Sequence, residues 1–145
     1  MDDEAIGLAA LFSIKPKFAN AILEGVKACE FRRSSLGRKI EWIVIYATMP
    51  VGKIIGYVRV HGVDEASPVD LWKRYHLVGG ISEEEFSSYF SGAPTGIAIA
   101  LGAPVRFESG VRLSEISDTL RPPQSFIYLA EQDFRELLQL AESAT

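Results

Sequence analysis

The stretch Gly25-Val26-Lys27-Ala28-Cys29-Glu30-Phe31-Arg32 decides the reading of this chain. It places Lys27, Glu30 and Arg32 within six residues, in a segment whose remaining side chains are small or apolar. A fold keeps charges there where they pair or where a ligand meets them. Glu30 and Arg32 stand two apart, so on a strand they share one face. Lys27 falls on the opposite face unless the strand begins with a bulge or Lys27 sits on a turn.

Upstream, Leu11 to Ile14 reads as a short strand and Pro16 opens a helix, where its missing N–H costs nothing. Phe18, Ala21 and Ile22 give that helix one apolar face, and Gly25 closes it with a left-handed residue. Lys27 to Arg33 resumes as strand. Ile40 to Thr48 and Lys53 to His61 are strands joined by a tight turn at Pro50-Val51-Gly52. Ser67 with Pro68 caps a helix that runs to Gly79-Gly80, and Ser82 with Glu85 forms a capping box for the next. Gly96 to Leu101, Val105 to Phe107 and Phe126 to Leu129 read as further strands. Leu113 to Leu120 reads as a short turn or helix. Glu131 to Glu142 is an amphipathic helix with Phe134, Leu137, Leu138 and Ala141 on one face. Strands and helices do not alternate, which excludes a doubly wound parallel sheet. The order predicts an α+β fold: a small, mostly antiparallel β-barrel with helices at its ends and a two-helix insert over 68–90.

The chain has 145 residues, enough for one core, and residues 1–145 are read as a single domain. A net charge of −4 argues against a protein that coats nucleic acid without selectivity. The charge is uneven: residues 11–40 hold seven basic and two acidic side chains, whereas residues 61–145 hold six basic and thirteen acidic. That pattern predicts a small basic face, with Lys15, Lys17, Lys27, Arg32 and Arg33 in one surface region, suited to a short anionic ligand. Cys29 is the only cysteine, so no internal disulfide forms and a reducing, cytoplasmic location is expected. Met1-Asp2-Asp3-Glu4 has the wrong charge for a secretory leader, and the apolar run Ile6 to Phe12 is too short to span a bilayer. His61 and His76 lack acid partners at ligand spacing, so neither a metal nor a cofactor is expected. Trp72, Tyr75, Phe86, Tyr89 and Phe90 recur at helical spacing and read as core.

Lys15-Pro16-Lys17-Phe18, Ile22, the Gly-x-Lys-x-x-Glu-x-Arg motif, Tyr46-Ala47-Thr48-Met49-Pro50 and Gly56 together resemble the ASCH family of PUA-like barrels. The resemblance is strongest over residues 11–62 and extends to Gln124–Leu129. It implies that the motif lines a cleft in the barrel wall. It implies a ligand that is RNA, a nucleotide or a modified nucleoside, and a role in regulating translation or transcription. On that reading Lys27 meets a phosphate or an exocyclic oxygen, Arg32 meets a phosphate or a base edge, and Glu30 accepts from an exocyclic amine. Lys15 and Lys17 add phosphate contacts, and Tyr46 stacks a base. A second reading is a small amidohydrolase acting on an acylated nucleoside. Relatives of that kind carry a hydroxyl three residues after the lysine; Glu30 stands there, so Lys27 and Glu30 would act as acid and base with Thr48 supplying the hydroxyl. A third makes the acidic helices of 68–90 a surface for a protein partner.

Overall fold

The computed structural model describes residues 6–143; the acidic Met1-Asp2-Asp3-Glu4 lies outside them. The element order is β1 (Ala9–Ile14), α1 (Pro16–Leu23), β2 (Cys29–Arg32), β3 (Trp42–Ala47), β4 (Lys53–Ala66), α2 (Pro68–Tyr75), α3 (Glu83–Tyr89), β5 (Gly96–Val111), a short 3-10 turn (Leu113–Glu115), β6 (Phe126–Leu129) and α4 (Glu131–Ser143). The described strands form one sheet in the order β2-β5-β4-β3-β1-β6. All neighbours are antiparallel except β1 and β3, whose parallel pairing is reached by the crossover through α1 and β2. The sheet curls into a half-barrel, so the fold is the expected α+β one.

Strict alternation splits the central strands between two cores. Ala10, Phe12 and Ile14 of β1, with Ile43, Ile45 and Ala47 of β3, face the inside of the curl and pack against Ala19 and Ile22 of α1. Ala9, Leu11, Val44 and Tyr46 face outward and are covered by Phe134 and Leu137 of α4. Burial on both faces explains why these strands read as continuous apolar runs. A third cluster seats α2 and α3 on the sheet edge, where Cys29 and Phe31 of β2 meet Leu71, Phe86 and Phe90. The Phe31 ring stands edge-on to Phe86 at 4.9 Å. The two helices bridge the antiparallel neighbours β4 and β5 and pair with no strand.

Three local readings change. β4 continues past His61 to Ala66, because Gly62 to Ala66 pair in register with Ala100 to Gly96. β5 runs unbroken through Gly102-Ala103-Pro104 instead of stopping at Leu101. Pro104 is accommodated because the register slips beside it: Val58 pairs with Pro104 and Val60 with Leu101, so two steps on β4 oppose three on β5. The helix after Pro68 ends at Tyr75, and Leu77 to Gly80 form a loop instead of a last helical turn. Among the described residues no helix is long and apolar enough to cross a membrane.

Gly56 marks the tightest approach inside the curl. A Cβ there would collide with the Val105 carbonyl oxygen and stand 2.7 Å from Leu23 of α1. Gly56→Ala is therefore expected to destabilise the protein by about 1–3 kcal/mol, by forcing β5 and α1 apart. Urea unfolding followed by circular dichroism measures it, and an unchanged midpoint would contradict the packing described.

Candidate functional site

The site is built where α1 hands over to β2. Glu24 and Gly25 end the helix; Gly25 takes φ +81°, and the N–H groups of Val26 and Lys27 both donate to the Ala21 carbonyl. Because β2 starts only at Cys29, Lys27 lies on this turn and is freed from strand alternation. Its side chain joins Glu30 and Arg32 and is 3% exposed. Lys27 Nζ donates to the Gly79 carbonyl at 2.5 Å and lies 5.3 Å and 5.4 Å from the ring centres of Phe18 and Phe31. The loop above it needs glycine: Gly80 has φ +59°, and a Cβ there would stand 2.6 Å from Lys27 Cβ.

Glu30 divides its two oxygens between the two cations. Oε2 accepts from Arg32 Nε at 2.9 Å and lies 2.8 Å from Nη2, while Oε1 faces Lys27 Nζ at 3.8 Å. Arg32 reaches further: Nη2 donates to the Ser13 carbonyl at 3.2 Å, Nη1 to Ser125 Oγ at 3.1 Å, and the guanidinium lies over Phe12 at 4.7 Å. Burial lowers the pKa of Lys27, and the neighbouring Glu30 opposes that shift. Burial also pushes the Cys29 thiol up to about 12, which keeps the sulfur protonated and unreactive.

These three side chains floor a cavity of about 600 Å³ that also takes in Lys15 and Phe18. Its opposite wall is α3 and the turn before it, through Ser82, Glu84, Glu85, Ser88 and Tyr89. The position of Tyr89 was not anticipated from sequence. It is 40% exposed and turned into the cavity, while Phe86 and Phe90 on the same helix are core as expected. Helical spacing marks an apolar face but does not say which edge of that face borders a void. Lys17 reaches across to Glu85 Oε2 at 2.8 Å and ties α1 to α3 outside the cavity.

In four respects this cavity differs from the expected site. Tyr46 does not line the cavity: β-alternation turns it outward into the second core, and it is 6% exposed. Thr48 lies in the turn after β3 and is not a lining residue; the lining residues that carry a hydroxyl are Ser13, Ser82, Ser88 and Tyr89. Lys17 is held by Glu85 and does not point inward. The cavity is not a basic cleft either, because Lys15, Lys27 and Arg32 are matched by Glu30, Glu84 and Glu85. Arg33 stands outside it and donates to the Tyr89 carbonyl at 3.4 Å.

Removing Arg32 would leave the Glu30 carboxylate buried with only the more distant Lys27. Arg32→Met is expected to cost about 3 kcal/mol, with partial recovery in the double variant Glu30→Gln/Arg32→Met. A denaturant double-mutant cycle reads this, and additive costs would show the pair to be independent. For Lys27 the sign is the reverse of a stabilising pair. Its pKa is lowered on folding, so the folded state binds fewer protons, and stability rises with pH as the ordinary value of 10.5 is approached from below. Lys27→Met should flatten that rise in pH-dependent unfolding.

The sequence profile of the ASCH domain matches residues 12–100 of this chain. The protein is 34% identical over 137 residues to an ASCH domain-containing ribonuclease of Zymomonas mobilis, an alignment spanning 90% of each chain. The crystal structure of the ASCH protein from Zymomonas mobilis superimposes with a TM-score of 0.83 at 32% identity, covering 91% of this chain and 94% of that one. The N-terminal domain of Staphylothermus marinus McrB shares the fold at a TM-score of 0.60 and 13% identity, covering 90% and 93% of the two chains. With the motif, the half-barrel and these likenesses together, the chain belongs to the ASCH domain family of the PUA-like superfamily.

Proposed function

We propose that this domain binds single-stranded RNA by drawing one unstacked base into the cavity between the half-barrel and α3, and that it acts on the bound strand as a ribonuclease. The observation that carries the binding is the balanced floor of the cavity. Lys27 and Arg32 present donors and Glu30 an acceptor within one buried cluster. Paired donors and acceptors suit the mixed edge of a base, whereas a phosphate would favour cations without a carboxylate among them. Phe18 and Tyr89 supply flat faces at the walls, and about 600 Å³ accommodates a nucleoside. The ribonuclease name of the Zymomonas mobilis relative supports cleavage as the outcome of binding.

A second activity is favoured by one specific observation. Lys27 has a pKa lowered by burial and stands 3.8 Å from a carboxylate, an arrangement suited to proton transfer at an amide. An acylated nucleoside in the same cavity would meet that pair, with Ser88 as the hydroxyl at hand in place of Thr48.

The experiment separates the readings. A fluorescent single-stranded RNA is tested for binding by anisotropy and for cleavage on gels, alongside acylated cytidine assayed for deacylation. Lys27→Met is expected to weaken RNA binding by about ten- to a hundredfold, the loss of a charge-assisted contact of roughly 1.5–3 kcal/mol. Binding should decline as pH rises, and below the ordinary lysine value of 10.5, because burial lowers the pKa of the donating ammonium. Absence of RNA binding in the wild type, or binding indifferent to Lys27→Met, would overturn the proposal. Turnover of acylated cytidine that Glu30→Gln abolishes would establish the second activity.

A further inference from the structure

A second cavity, of about 590 Å³, opens between the loop after β2 and the middle of β4. It differs from the first in its charge. Arg38, Lys39, Arg59 and His61 line it, and among its lining residues Glu41 is the one carboxylate. Glu41 is only loosely engaged, 3.9 Å from Arg59. Arg38 lies over the Tyr128 ring at 5.0 Å and has no acid partner among the described residues, while Arg59 lies over Trp42 at 4.9 Å besides its long contact to Glu41. Among the described residues Lys39 has no ion-pair or hydrogen-bond partner. The loop itself is pinned, with Gly37 at φ +79° and the Tyr128 hydroxyl donating to the Leu36 carbonyl. Gly62 leaves open space at the rim where a side chain would stand.

Of the positive charge between residues 11 and 40, Arg38 and Lys39 stand here without an acid partner among the described residues, beside Arg59 and a single carboxylate. The cations are exposed and spread along a groove instead of converging as buried donors. Such a groove suits an extended polyanion better than a small anion, which needs enclosing donors. The two cavities are also joined by one short piece of chain: Arg32 floors the first, Arg33 stands exposed beside it, and Arg38 and Lys39 line the second.

We propose that this second cavity holds backbone phosphates of the RNA strand whose base enters the first. The proposal rests on the RNA reading above and divides the labour between the sites: the matched cavity selects a base, and the cationic groove carries affinity that does not depend on sequence.

The test compares a fluorescent single-stranded RNA of about twelve nucleotides with a fluorescent trinucleotide, each titrated over a range of salt. In Arg38→Gln/Lys39→Gln the longer RNA should bind roughly tenfold more weakly near 0.1 M salt. Its log–log salt slope should become shallower by about 1.4, from about 0.7 for each lost phosphate contact. The trinucleotide should bind as to the wild type, and Lys73→Gln, which removes a cation on α2, should change neither. Lys39→Gln alone keeps the packing of Arg38 on Tyr128 and should give about half the slope change. If the longer RNA binds the double variant with unchanged affinity and slope, the second site is refuted while the first stands. If both RNAs weaken equally, the groove has no phosphate role of its own and the proposal again fails. If the wild type binds neither RNA, the RNA reading itself falls.

Discussion

The interaction between Glu30 and Arg32 organises this structure. β2 is one edge of the curled sheet, and β6, at the other edge, pairs with β1. Arg32 leaves β2, crosses the gap, and donates to Ser13 at the end of β1 and to Ser125 just ahead of β6. No strand ladder closes this side, so a side chain does. A guanidinium is suited to that task because its donors fan out in one plane and its flat face rests on Phe12. It can remain largely out of water only because Glu30 neutralises it from two residues away. The same pair that closes the curl also forms the cavity floor, so the shape of the cavity and the integrity of the fold share residues.

The second constraint is the placement of α2 and α3. They connect β4 to β5 and supply the wall opposite the motif. Three anchors hold them. Phe31 packs against Phe86, Asp64 accepts from Arg74 and from the Tyr75 hydroxyl, and Lys17 pairs with Glu85. The first is buried and apolar. The last is exposed and weak in energy, so it sets the position of α3 more than it stabilises it. A ligand entering the cavity meets one wall built from rigid sheet and one from two short helices.

Much of the fold was legible because the central strands obey simple rules. Alternation in β1 and β3, Pro16 at a helix start, Gly25 at its end and the Ser82 capping box each specify local structure without long-range help. The length of β4 and β5 was not legible, because it depends on which residues face which across the register slips at Val58 and Val60. In the site, the convergence of Lys27, Glu30 and Arg32 could be read from the motif and its resemblance, although Lys27 required knowing that β2 begins at Cys29. Tyr46 entered through the resemblance, and its side of the sheet follows from alternation on β3, which sends Ile45 to the first core and Tyr46 to the second. The balance of charge in the cavity was hidden for another reason. Glu84 and Glu85 are distant in sequence from Lys15 and Arg32, and only the packing of α3 brings them together.

Cys29 has a consequence of its own. Its side chain is fully enclosed where β2 meets α2 and α3, and its thiolate form is strongly disfavoured. A maleimide or disulfide reagent therefore finds no reactive sulfur while this packing holds, and labelling records openings of the cluster, whether local or with the whole fold. Since Cys29 is the sole sulfhydryl in the chain, its rate of labelling reports on the packing of this one cluster without interference from any other thiol.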